Sequence, residues 1–299
     1  MKWAAFTPFA IVTSKHLLQG KKLLKSTNRF VYSNSRQVGL NSVFGRMEFG
    51  WKYEIIGLAL FAGIWLLVTG FVFTRPQYSQ FRGFLPGPTL AALMDAFQDS
   101  RFWISVFSSL RRILVGIFLA AVIGFPLGIL MGFYTKFRGL SYSPLQFIRM
   151  ISPLSWMPIA LLLFASFESA VYFLIVMATI CPIILNTTIG VLNINPQWIK
   201  MALNQGATNT QLILTIVIPS SLPHMLTSLR LALGVAWIVL VPAEFLGVSS
   251  GLGYLINDAR DTMEYDKLMA MIIAIGILGF ILDRFFQRLQ HKFNQSWNE

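Results

Sequence analysis

Cysteine is almost missing from these 299 residues, with Cys181 the only one, which excludes an internal disulfide and a cysteine-based metal site. Cys181 lies in an apolar run and reads as a small buried apolar residue. Charge is scarce as well: 12% of the residues are Asp, Glu, Lys or Arg, against about 25% in an average soluble domain. A soluble chain of this length could bury a sizeable core, yet it would still need a charged surface. This composition cannot supply one, so much of the surface must face lipid. Histidine is rare too, and His224 has no Cys, Asp or His cluster near it in sequence, which makes it a poor metal ligand. No GxxxxGK[ST] phosphate loop occurs, because Gly20-Lys21 lacks both the upstream glycine and the following Ser or Thr.

Acids number 12 against 24 bases, for a net charge of +12. Such a balance can signal nucleic-acid binding, but the positions exclude it. Lys2, Lys15, Lys21, Lys22, Lys25, Arg29, Arg36, Arg46 and Lys52 precede the first long apolar run, and most other bases flank later runs. That is the positive-inside pattern of a membrane protein. Trp3 to Val12 is a short apolar stretch behind Lys2, but Ser14, Lys15 and His16 follow it instead of a small-residue cleavage site, so no cleaved signal is expected. Residues 1–52 read as a basic cytoplasmic extension or a surface-lying amphipathic segment.

Six spans are predicted: Ile55–Phe73, about Trp103–Phe133, Leu145–Phe167, Ala170–Leu192, Leu222–Leu246, and Leu268–Leu282 continuing as a basic helix toward Lys292. At ~1.5 Å per residue, the first of these nearly crosses a ~30 Å hydrocarbon core. The second is longer than needed, so its outer part is expected to be tilted or separate. Pro153 and Pro158 break the third, and Pro182 and Pro242 weaken others at mid-depth. Broken helices suit a transport pathway, where freed carbonyls line a cavity. With residues 134–144, 193–221 and both termini placed inside, the inner side is rich in bases and the outer side holds most acids, giving an N-in, C-in topology. The fold class is therefore an all-α membrane protein with a transmembrane domain at 53–292 and a cytoplasmic tail at 293–299. Gly116, Ala120, Gly124, Gly128 and Gly132 put small residues on one face of the second span. They allow close helix packing, within the subunit or between subunits.

Residues 196–219 are too polar to span yet lie between two spans on the inner side. Pro196 can open a helix, and Ile199, Ala202 and Leu203 recur at helical spacing. Gly206 interrupts, and a second helical stretch begins at Thr208 and is expected to end at Pro219 and Pro223. The spacing of Ala202, Gly206, Ala207, Ile216 and Pro219 resembles the EAA loop of binding-protein-dependent ABC importer permeases. Lys200 stands where that family usually has Glu, Met201 replaces the first Ala, and Ile218 replaces the Leu before proline. Leu85-Pro86-Gly87-Pro88, Ser109-Leu110-Arg111-Arg112, Ser152-Pro153-Leu154-Ser155-Trp156-Met157-Pro158, Ala243-Glu244-Phe245-Leu246-Gly247 and Gly251-Leu252-Gly253-Tyr254-Leu255 resemble the nitrate/sulfonate/bicarbonate (taurine) branch.

The resemblance covers about residues 54–292 and implies the type I importer (MetI-like) fold in a bacterial inner membrane. It implies a homodimer or a pair with a paralogue, two ATP-binding subunits and a periplasmic or lipid-anchored solute-binding protein. It also implies that Lys200, Met201, Ala202, Gly206, Ala207, Ile216 and Pro219 form the coupling helix that docks on the ATPase. ATP and Mg would then bind the partner subunit, with no cofactor in this chain, which is not itself an enzyme. The expected cargo is a small anion, with nitrate-type oxyanions favoured over an alkylsulfonate such as taurine or bicarbonate.

Charges inside spans face a cavity or a partner, because at mid-bilayer each costs at least ~2.5–3.5 kcal/mol. Arg111 and Arg112 either line the pathway and draw an anion in through their planar forks, or pair with Glu168 or Glu244, or snorkel. Trp156, Trp237 and Glu244 are the other pathway candidates, with packing or ion pairing as the alternatives. Arg149 snorkels at the inner end of the third span. Residues 251–266 form an outer helix with Leu252, Leu255, Ile256 and Ala259 on one face, where a solute-binding protein would dock. Two other functions stay open to test: an intramembrane enzyme needs a catalytic cluster at depth, which is not found, and a stand-alone secondary transporter needs a coupling-ion site and usually an internal repeat.

Overall fold

A computed structural model describes residues 51–296 apart from 74 and 246. Most of the basic extension at 1–52, and residues 297–299 of the tail, lie outside the described residues. The chain falls into two compact units, 1–64 and 65–299. Among the described residues every regular element is helical. They are α1 (Trp51–Phe73), α2 (Pro86–Gln98), α3 (Ser100–Phe133), α4 (Thr135–Met150), α5 (Met157–Leu163), α6 (Phe167–Leu192), α7 (Pro196–Asn204), α8 (Asn209–Leu212), α9 (Ile218–Glu244), α10 (Leu252–Asp261) and α11 (Tyr265–Ser296). Short 3-10 turns at Pro76–Phe84 and Pro153–Trp156 join the set.

Among the described residues five helices are long and apolar enough to cross a membrane: Ile55–Phe73, Ser100–Phe133, Phe167–Leu192, Asn209–Glu244 and Tyr265–Gln290. A sixth crossing is the bent pair Thr135–Met150 and Pro153–Leu163, whose two arms meet at 87°. The third span expected at Leu145–Phe167 is therefore not one helix. Proline drives the residue before it out of helical backbone, and Ser152 sits at φ −58°, ψ 130° ahead of Pro153. The second span, by contrast, is one continuous 34-residue helix that includes Pro126.

The small-residue ladder shows how the crossings are ordered. A side chain added at Gly116 would run into Ile175, at Gly124 into Ile183, at Gly128 into Thr187, and at Gly132 into Val191. The separation in sequence is the same at every rung, so α3 and α6 lie side by side and run in the same direction. Two parallel neighbours require the chain to recross the membrane between them, and the bent α4–α5 pair makes that return. The ladder's partner is thus another helix of the same chain. Thr188 fastens the seam, its Oγ1 donating to the Gly128 carbonyl at 3.1 Å.

Pro219 and Pro223 do not end the second inner helix as expected. A π turn at Ile213–Val217 carries α8 into α9, so Pro219, which has no N–H, follows directly on a turn whose bonds span five residues rather than standing at a free helix start. Polar side chains cover nearby carbonyls: Ser221 Oγ donates to the Ile218 carbonyl at 3.1 Å and Thr227 Oγ1 to the Pro223 carbonyl at 2.9 Å. The main core joins α3, α6 and α9 through Ile113, Ile117, Val171, Leu174, Ala236 and Leu240. A second cluster joins α2, α3, α10 and α11 through Leu93, Phe102, Leu252 and Met271.

Candidate functional site

The inner elbow begins at Asn195, whose side chain caps α7 by accepting from the Gln197 N–H at 2.9 Å. Pro196 follows at the helix start. Ile199 packs inward on the cluster of Ile129, Val191, Ile194 and Val217. The opposite face is bare: Trp198 is 53% exposed and Met201 61% exposed, with Leu203 also exposed. Gly206 takes φ +84°, the left-handed conformation that glycine adopts without strain. It reverses the chain in front of Thr208, which forms a capping box with Gln211 at the start of α8. Of the expected coupling residues, Lys200, Met201 and Gly206 are exposed, while Ala202, Ala207, Ile216 and Pro219 are partly buried. A small cleft between α7 and the start of α9 is lined by Trp198, Met201, Ala202, Ile216 and Ser220.

At the other end of the bundle lies a cluster of four charges. Arg112 of α3 and Glu244 of α9 are 0% and 1% exposed. Arg112 Nη1 donates to Glu244 Oε1 at 2.8 Å and to the Ser250 carbonyl at 2.6 Å. Its Nη2 donates to Glu168 Oε1 of α6 at 2.7 Å, and Arg111 Nη2 reaches both Glu168 oxygens at 3.2 Å. Glu244 is saturated: Oε1 also accepts from Ser109 Oγ at 2.7 Å, and Oε2 accepts from the Gly253 N–H at 2.7 Å. Ser109 Oγ accepts in turn from the Leu252 N–H at 2.9 Å. Two arginines face two glutamates, so the cluster is formally neutral, as low-dielectric surroundings require. Arg112 Nε alone is buried without a hydrogen-bond partner.

Other expected pathway residues sit elsewhere. Trp156 and Trp237 are partly buried and pack on the α3–α6–α9 core, and Trp237 Nε1 abuts Gly279 of α11. Arg230 of α9 is gripped by Asp283 of α11 at 3.0 and 3.1 Å. Asp283 went unnoticed in sequence because its partner lies on another helix. Ser109, Ser250 and Gly253 were missed as well, although each stands in or beside a motif that carried the resemblance. Among the described residues no group of His, Cys, Asp or Glu could hold a metal ion.

Outside the cluster, α10 forms the expected short helix, with Leu252 and Ala259 buried. Beside it opens a cleft of ≈ 530 Å³ between α2, α3, α10 and α11, lined by Asp95, Asp99, Asp258, Glu264 and Asp266 among others. Lys267 Nζ donates to Glu264 Oε1 at 2.8 Å, and that hydrogen bond holds the Glu264 carboxyl below its ordinary range.

The profile of the family described as binding-protein-dependent transport system inner membrane component matches residues 124–295. The chain is 30% identical over 242 residues to the taurine transport system permease protein TauC of Escherichia coli, covering 79% of this chain and 86% of that protein. It is 35% identical over 193 residues to the nitrate import permease protein NrtB of a Synechocystis strain, covering 64% and 70%. It is 31% identical over 274 residues to the bicarbonate transport system permease protein CmpB of Synechococcus elongatus, covering 86% and 94%. In fold it is similar to a chain of a bacterial ABC transporter that imports alginate, with a TM-score of 0.52 at 16% identity over 91% of this chain and 99% of that one. It is also similar to a chain of the inward-facing MetNI methionine transporter, with a TM-score of 0.54 at 18% identity over 65% and 98%.

Proposed function

The chain belongs to the family of binding-protein-dependent transport system inner membrane components, and from that membership we propose that it forms the membrane pathway of an ATP-driven importer of a small anion. The named relatives carry taurine, nitrate or bicarbonate in their descriptions, and each of those is a small polar molecule bearing an oxyanion group. A nitrate-type oxyanion is the favoured cargo, with an alkylsulfonate or bicarbonate as the other members of the class.

The observation that carries the reading is the inner elbow. Apolar side chains at Trp198, Met201 and Leu203 stand exposed on a short helix that also carries Gln197, Lys200 and Asn204, at the end of the bundle where the bases concentrate. Exposed apolar groups at a polar surface mark a protein contact. Here the partner is an ATP-binding subunit, held by Met201, Ala202, Gly206 and Ala207 on α7 and its bend, and by Ile216 and Pro219 behind them. Two copies of this chain, or one with a paralogue, would enclose the pathway, and a solute-binding protein would dock near α10. Closure of the ATPase pair moves the elbow, and the spans follow as rigid bodies.

The test is uptake of labelled nitrate, taurine and bicarbonate into proteoliposomes holding this chain, its ATP-binding subunits and its solute-binding protein. ATP-dependent uptake of one of them is expected. Uptake that proceeds without ATP and follows an ion gradient would refute the reading and identify a secondary transporter.

A further inference from the structure

Three features outside the elbow were unexplained: the buried Arg112–Glu244 pair, the φ of Gly251, and the continuity of the helix that begins at the elbow. They belong together. The segment Asn209–Glu244 is one helix of 36 residues, about 54 Å long at ~1.5 Å per residue. Its inner end is anchored beside α7, since Leu212 and Val217 are buried and Ile199 of α7 packs on the cluster to which Val217 belongs. Its outer end is Glu244, and Glu244 is bonded to the start of α10.

That outer joint is built from backbone donors. A helix leaves its first four N–H groups without partners, and α10 begins at Leu252. The Leu252 N–H goes to Ser109 Oγ of α3, and the Gly253 N–H to Glu244 Oε2 of α9. Two core helices thus cap a third. Arg112 closes the joint from below by donating to both Glu244 and the Ser250 carbonyl, and Ser250 Oγ donates to Ser108 Oγ at 3.2 Å. Gly251 sits at φ +131°, and a side chain there would strike the Glu244 carboxyl carbon and Arg112 Nη1 at 2.5 and 2.6 Å. The loop therefore lies in direct contact with the ion pair.

We propose that α10, the outer ends of α3 and α9, and the whole 209–244 helix move as one rigid piece, with Glu244, Arg112 and Ser109 as positioning residues that fasten α10 to the rod. This deepens the importer reading and rests on it for its purpose: a protein docked on α10 is then mechanically continuous with the inner elbow. Breaking a buried pair is strongly unfavourable, so the joint stays closed as the piece moves.

The experiment uses a Cys181→Ala background and the full chain assembled with its ATP-binding subunits. Spin labels at Thr210 and Asp258, both exposed, report the length of the rod. One narrow distance that changes by no more than about 2 Å between nucleotide-free and ATP-bound states is expected. A second distance population overturns the proposal. A Ser108→Cys/Ser250→Cys pair locks the loop onto α3. The oxidised protein should carry anion as fast as the reduced one, and loss of uptake restored by reductant overturns the proposal. Ser109→Ala removes the acceptor of the Leu252 N–H and should broaden the label distance and reduce the stimulation of ATP hydrolysis by the solute-binding protein about tenfold. An unchanged distance and stimulation would also overturn it. Should the assembly neither hydrolyse ATP nor carry anion, the importer reading fails, and the label distance in the purified chain alone still decides: narrow supports the rod, broad refutes it.

Discussion

Replacing Glu244 with alanine puts the outer joint under its most direct stress. The carboxylate is 1% exposed and accepts from Arg112, Ser109 and the Gly253 N–H. Removing one partner of a buried ion pair costs about 3–5 kcal/mol, because the other charge stays buried and uncompensated. Arg112 keeps Glu168 and the Ser250 carbonyl, which holds the cost to the lower half of that range. The Gly253 N–H and the Ser109 hydroxyl lose their acceptor as well, at about 1–3 kcal/mol for each group that no water reaches. With both groups dry the loss expected is at least about 5 kcal/mol. For a domain of 150–250 residues about 2–4 °C of melting temperature goes with each kcal/mol, so the fall should be at least roughly 10 °C. The assay is thermal unfolding of the purified chain in detergent.

The paired change separates the ion pair from simple loss of volume. Arg112→Met combined with Glu244→Leu removes both charges, and buried pairs exchanged for apolar residues of similar size are often nearly neutral. The double variant should therefore melt well above the sum of the two single losses, with a coupling of more than about 2 kcal/mol. Glu244→Ala melting within about 2 °C of the parent chain, or strict additivity in the double variant, would refute the argument.

The remaining expectations concern the α3–α6 seam, the elbow and the outer cleft. Gly128→Ala places a methyl group 2.6 Å from Thr187 Cβ and 2.8 Å from the Ile184 carbonyl, and overpacking of that kind costs about 1–3 kcal/mol. Gly139→Ala meets nothing within 4 Å and should melt like the parent; equal melting of the two variants would end the close-seam account. Met201→Asp at the exposed elbow should leave the melting temperature unchanged and abolish co-purification of the ATP-binding subunit, and retained co-purification would remove Met201 from that contact. Glu264, held below the ordinary carboxylate range by Lys267, contributes to the α10–α11 turn above its unfolded pKa and loses that contribution as pH falls through the folded one. Lys267→Ala should raise the pH at which the carboxylate titrates, as read by NMR, and an unmoved titration would show the hydrogen bond to be absent in solution.

Hydropathy and proline spacing are local properties, and what depended on them was legible from the residues in order. Five of the six crossings, the polar inner elbow opened by Pro196, the break at Gly206 and the amphipathic helix after Gly251 all follow from neighbours within a few turns. The bend after Met150 was legible as a break but not as an angle, since proline stops a helix without saying where the chain turns next. The passage of the helix through Pro219 was not legible, because a π turn upstream changes which carbonyls need partners.

Long-range pairings could be settled only by the tertiary structure. Arg112 had two candidate glutamates in sequence and takes both, Glu168 from α6 and Glu244 from 132 residues away. Gly116 through Gly132 announced a close contact but not that α6, running parallel, supplies it. The physical reason is that a lipid-facing stripe is set by the solvent around a single helix, whereas the partner of a buried charge or a bare glycine face is set by which helices the fold brings together.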